Sequence, residues 1–163
     1  MRLGFVTLLL ALVWGMPAMA DSGATELTVE NAYIRGLPPG QKNTAAFFKV
    51  INNSDHDIVI RAGQSTAAKT LEIQSHEHRD GMMAMRMQSH VTVPAGESLD
   101  FAPGGLHLML LDLSRLLVDG DELSFSLFLS REGGGQSQQL EITAPVISVL
   151  KMNHNRQQNH GEH

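Results

Sequence analysis

The chain contains no cysteine. It can form no disulfide, and no thiolate is available as a metal ligand. Basic charge is also scarce. Lys and Arg number 12 against 17 Asp and Glu, for a formal net charge of −5. With no basic patch, nucleic acid and anionic lipid are poor partners. Long apolar runs are missing beyond the first twenty residues, so no later segment predicts a membrane span. Helical patterning is missing too: no segment longer than about ten residues repeats its apolar positions with the 3.6-residue period. There is no internal repeat and no sign of a second domain.

Residues 1–20 have the three parts of an export signal. Arg2 gives a positive start, FVTLLLALVWG an apolar middle, and Ala18-Met19-Ala20 a small-x-small cleavage site. The apolar run is too short to cross a bilayer comfortably. Cleavage after Ala20 is expected, and a signal this short points to the periplasm, with no membrane insertion once it is removed. The competing reading, an uncleaved anchor, is opposed by the polar flank beyond Ala20. Residues 21–26 read as a flexible mature terminus, 27–150 as one domain, and 151–163 as a disordered polar tail. A domain of this size buries about two-thirds of its unfolded surface, so it needs neither metal nor disulfide merely to fold.

Within the domain, short runs of β-branched, aromatic and apolar residues alternate with turn signals. Strands are predicted at Leu27–Arg35, Thr44–Asn52, Ile58–Gly63, Lys69–His76 and Leu106–Leu113. HRDGMM (His78–Met83) reads as a loop, and RMQSHVTV (Arg86–Val93) as one strand with Met85 and Met87 on the face of Val91 and Val93. SLDFA and ELSFSLFLS follow as strands, Gly133-Gly134-Gly135 as a hairpin tip, and QSQQLEITAPVISVL as a last strand or pair. Regular short strands separated by Gly and Pro predict an all-β sandwich or barrel.

Imidazole and thioether are concentrated in one stretch. His76, His78, His90 and His107 lie between His76 and Met109, together with Met82, Met83, Met85, Met87 and Met109 itself. Without cysteine, this is the composition of a site for a soft ion, above all Cu(I). His107 and Met109 are two apart on a predicted strand, so both leave one face while Leu106, Leu108 and Leu110 turn to the core. A histidine in so apolar a strand needs a buried partner or a metal. Met109 alone reads as ordinary packing, as do Met82, Met83 and Met87 at the core or its rim. His76 ends a predicted strand; His78 can replace it if the strand continues. His90 and His56 read as surface residues. Met152, His154, His160 and His163 in the tail have the make-up of a second, weaker site for Cu(II), against the plainer reading of a solubilising terminus.

The spacing His76, Met85, then twenty-one residues, then His107-x-Met109 resembles the periplasmic copper chaperones of the PCuAC family. NAYIRGLPPG, TAAFFKVIN, VPAGES and above all APGGLHLML are similar to segments of that family, over roughly Leu27 to Thr143. The resemblance implies a single-domain, cupredoxin-like Greek-key β-sandwich or barrel. It also implies Cu(I) held by His76, Met85, His107 and Met109, and no enzymatic activity. Expected partners are a thioredoxin-fold protein of the Sco type and the apo subunit of cytochrome c oxidase. A blue-copper electron carrier would need a cysteine thiolate and is excluded. A zinc hydrolase would need harder ligands and a general base. The remaining competitors are a copper-sequestering resistance protein without delivery and a metal-free β-sandwich interaction module.

Overall fold

In the computed structural model, which describes residues 26–148 apart from 39, 80 and 81, the predicted strand regions form strands, with Arg86–Val93 interrupted at Ser89 and His90. The elements are β1 (Leu27–Arg35), β2 (Thr44–Asn52), β3 (Ile58–Ala62), β4 (Ala68–Arg79), β5 (Met82–Gln88), β6 (Val91–Val93), β7 (Ser98–Phe101), β8 (His107–Leu113), β9 (Glu122–Arg131) and β10 (Gln138–Ile147). The expected signal, most of the expected flexible terminus and the tail with Met152, His154, His160 and His163 lie outside the described residues. So do the side chains of residues 77–79.

The strand order is β5-β4-β8-β2-β1-β10-β9-β3-β6, with β7 also paired to β2. β2 is shared lengthwise: Thr44–Ala46 pair with β8 and Phe48–Ile51 with β7. β10 links the two layers, running antiparallel to β9 up to Pro145 and then parallel to β1 at Val146 and Ile147. Ile34, Val50, Ile60, Ile73, Leu108, Leu110, Phe125 and Val146 meet in one core between the layers. Phe48 anchors it, stacked on Phe101 at 4.3 Å and tilted against Phe125 at 5.7 Å.

β1 alternates only partly because its register shifts between Glu30 and Tyr33. Asn31 takes the left-handed conformation there, with φ 53°, a geometry asparagine tolerates better than most residues. The bulge lets Leu27 and Val29 face the core before it, and Ala32 and Ile34 after it.

Two expectations are corrected. The segment His78–Met83 is not a loop: β4 runs on to Arg79 and β5 begins at Met82, with Arg79 opposite Met82. The segment Arg86–Val93 is not one strand: β5 pairs with β4, whereas β6 pairs with β3 in the other layer, the break falling at Ser89 and His90. Val93 is therefore buried while Met85 and Met87 are exposed, and the expected shared face does not exist. The sequence MMAMRMQ lacks the β-branched and aromatic residues that mark strands, so its pairing with β4 was not visible in composition.

β8 separates its two faces cleanly. Leu108→Ala should lower unfolding stability by about 2–5 kcal/mol, the range for a truncated core leucine. Met109→Leu, on the opposite face, should cost less than about 1.5 kcal/mol. Urea unfolding of both variants checks this; equal losses would contradict the two-faced strand.

Candidate metal centre

The outer face of the β5-β4-β8-β2 layer, turned away from the core, carries His76, His107, Met83, Met85, Met87 and Met109. In register, His76 of β4 stands opposite Met85 of β5, Gln74 opposite Met87 and also opposite His107 of β8, and Glu72 opposite Met109. Strand alternation puts all of these on one face. His76 and His107 are therefore diagonal neighbours, and their rings stack at 5.0 Å between centroids, 29° apart in plane.

Over this face lies the segment from Gly36 to Asn43. Its ends are held firmly. Gly36 N–H donates to Ile147 O at 2.8 Å, Leu113 N–H to Lys42 O at 2.8 Å, and Asp112 N–H to Asn43 Oδ1 at 3.0 Å. A Cβ on Gly36 would lie 3.0 Å from Ser148 Cα, so glycine is what allows the segment to press against the end of β10. Between the segment and the sheet is a cleft of about 360 Å³. His76, Met85, His107 and Met109, the four residues singled out in the sequence, all line it.

The cleft is graded in exposure. His107 is 4% exposed, His76 and Met109 are partly buried, and Met85 is 61% exposed. Phe47, buried on this outer face of β2, tilts against His107 at 6.4 Å and carries the Arg35 guanidinium 5.1 Å above its ring. It forms an apolar floor that keeps water from His107. The sequence reading named neither Phe47 nor Arg35. The available signal was TAAFFKVIN itself, whose consecutive phenylalanines fit a strand buried on both faces.

The polar atoms define what the cleft can hold. His107 Nδ1 lies 3.0 Å from Gly105 O. A carbonyl only accepts, so Nδ1 is the donor and the Nε2 of the neutral ring keeps a free lone pair. His76 Nδ1 is buried without any hydrogen-bond partner. An orphaned buried ring nitrogen costs about 1–3 kcal/mol unless something supplies the missing bond. Among the described residues, no carboxylate lines the cleft, and the one charged side chain lining it is Arg35. Among the described residues, no three His, Cys, Asp or Glu side chains come together as a metal site. The resolved pKa shifts lie elsewhere. Asp55 is held below the usual carboxylate range by the hydrogen bond from His56, and Asp121 by the Val118 N–H and then Arg115.

The site is on the outer face of three paired strands. One sequence expectation needs revision at this level. Met82, Met83 and Met87 are not packed in the core or at its rim but are largely exposed. His90 is exposed, as expected. The backbone of His78 pairs with Met83, but the His78 side chain is outside the described residues.

The LpqE-like family model, that of a lipoprotein family, matches residues 27–146. A protein of Leifsonia xyli subsp. xyli (strain CTCB07), named as a lipoprotein, is 30% identical over 119 residues, 71% of this chain and 70% of its own length. Among solved structures, the Cu(I) form of DR1885 from Deinococcus radiodurans is 29% identical with a TM-score of 0.56, covering 80% of this chain and 86% of that one. The copper-bound PCuAC domain from PmoF2 is 20% identical with a TM-score of 0.56, covering 76% and 93%. The fold is thus the cupredoxin-like fold of PCuAC domains, as a single domain.

The Gly105 contact fixes the tautomer of His107. Long-range ¹H–¹⁵N spectra of the metal-free protein should show the neutral ring protonated on Nδ1; an Nε2–H form would contradict the geometry.

Proposed function

The chain belongs to the LpqE-like family, and from that membership and the cleft we propose that it is an exported copper carrier that binds one Cu(I). The ligands in this reading are His76, Met85, His107 and Met109. The observation that carries it is the orphaned Nδ1 of His76, buried beside a second histidine and in a cleft shared with two thioethers. Two thioethers favour a soft monovalent ion over Cu(II) or Zn(II). The lack of a carboxylate among the described lining residues points the same way. The copper-loaded forms of DR1885 and of the PmoF2 domain support the choice of metal.

The ligands do not stand in one rank. Met85 and Met109 sit toward opposite ends of the cleft in register, with the histidines between them. Closure on an ion relies on the unbranched thioether of Met85, which is free enough to swing inward. That asymmetry suits a carrier. The buried His107 retains the ion while the exposed Met85 is the ligand an acceptor can replace first. The role in this reading is carriage and not catalysis. Delivery to cytochrome c oxidase assembly, through a Sco-type protein or directly to the apo subunit, is part of this proposal. So are a periplasmic location, residues 1–20 as the export signal, and a second site for Cu(II) formed by Met152, His154, His160 and His163.

The lipoprotein names of the relatives support export.

Anaerobic titration should show one tight Cu(I) equivalent. His107→Ala and Met109→Ala should each weaken it by at least about tenfold, or ~1.4 kcal/mol. Absence of uptake, or uptake indifferent to both substitutions, favours a metal-free interaction module.

A further inference from the structure

None of the described methionines belongs to the hydrophobic core, which is built from Leu, Ile, Val, Phe and Ala. Four of them are instead exposed on the seven-residue strand β5: Met82 at 72%, Met83 at 56%, Met85 at 61% and Met87 at 68%. Gap-filling, the usual reason for methionine, does not apply to side chains in solvent. A hydrophobic edge strand is moreover a liability that proteins normally suppress with charge or proline. These thioethers therefore need another reason to be there.

Their placement supplies one. β5 is the terminal strand of the sheet order. Met83, Met85 and Met87 alternate onto a single face, the face of the cleft, while Met82 falls on the other. Successive members are about 6.6 Å apart along the strand. Met85 stands opposite His76, and Met87 lies in the row of Gln74 and His107. Met85 thus belongs both to the cleft and to the row of sulfurs beside it.

We propose that Met83 and Met87 form, with Met85, a thioether lane on which Cu(I) lands and is passed into the cleft, and along which it leaves. This rests on the Cu(I)-carrier reading above. Neighbouring thioethers on the lane are close enough to share one ion, so transfer proceeds by exchange of one sulfur lone pair for another. The copper stays monovalent throughout, and neutral thioethers release no proton on binding. The lane needs only weak affinity. Met83 and Met87 therefore act on the rate of loading and unloading, and the resting affinity is left to the cleft. Met82, on the opposite face, takes no part.

The test uses the full secreted chain, with Cu(I) presented anaerobically as its bicinchoninate complex. Equilibrium competition gives the affinity and stopped-flow absorbance the second-order loading rate. The double variant Met83→Leu/Met87→Leu keeps volume and apolarity at exposed positions. It should load at least about fivefold more slowly, with affinity unchanged within about twofold. Met82→Leu should match the wild type in both. Unchanged loading in the double variant overturns the lane. So does an equal slowing by Met82→Leu, which would mean that any exposed thioether suffices. Loss of affinity in the double variant also overturns it, because Met83 or Met87 would then be a ligand of the resting site. If the wild-type chain takes up no Cu(I) at equilibrium, the carrier reading fails and the lane with it. That result is separate from a rate that merely fails to change.

Discussion

The register of β4 against β8 is the constraint on which the candidate site rests. It sets Gln74 against His107 and Glu72 against Met109, and so brings the His76 and His107 rings to 5.0 Å. A slip of one residue would turn the imidazole and thioether inward and expose Leu108 and Leu110. Both leucines are fully buried, each contributing about 1.5–3 kcal/mol by burial. The core thus holds the cleft-facing side outward. β2 repeats the arrangement, with Phe48 in the core and Phe47 beneath the cleft.

The chemistry of the cleft follows from what surrounds its ring nitrogens. His107 spends Nδ1 on a backbone carbonyl, which orients the ring and leaves one lone pair. His76 is left with a buried nitrogen unsatisfied, a local cost that a bound ion would remove. Met85 and Met109 add thioethers to the cleft without adding negative charge, in a chain that has no cysteine to be oxidised. The gradient from buried His107 to exposed Met85 gives the site a closed side and an open one.

Much of this architecture was legible because burial and alternation coincide along most strands. ELSFSLFLS became β9 with Leu123, Phe125, Leu127 and Leu129 buried, and LHLMLLDL delivered His107 and Met109 to the face opposite Leu108 and Leu110. Legibility failed where residue type and environment part company. β5 has strand pairing without strand composition, so it read as part loop and part continuous strand. Its methionines looked like packing because exposed methionine is unusual, and only the paired structure shows them in solvent. Phe47 and Arg35 escaped notice because the paired phenylalanines of TAAFFKVIN indicate burial on both faces but not that the β1–β2 connection, Gly36 to Asn43, folds back over the second one.

The central claim is that two sulfurs and two nitrogens meet around one monovalent copper ion. X-ray absorption of the Cu(I)-loaded protein tests it most directly, by counting the neighbours of the metal. The account predicts a first shell of two thioether sulfurs and two imidazole nitrogens, losing one sulfur in Met109→Ala. A shell of nitrogen and oxygen alone would contradict it.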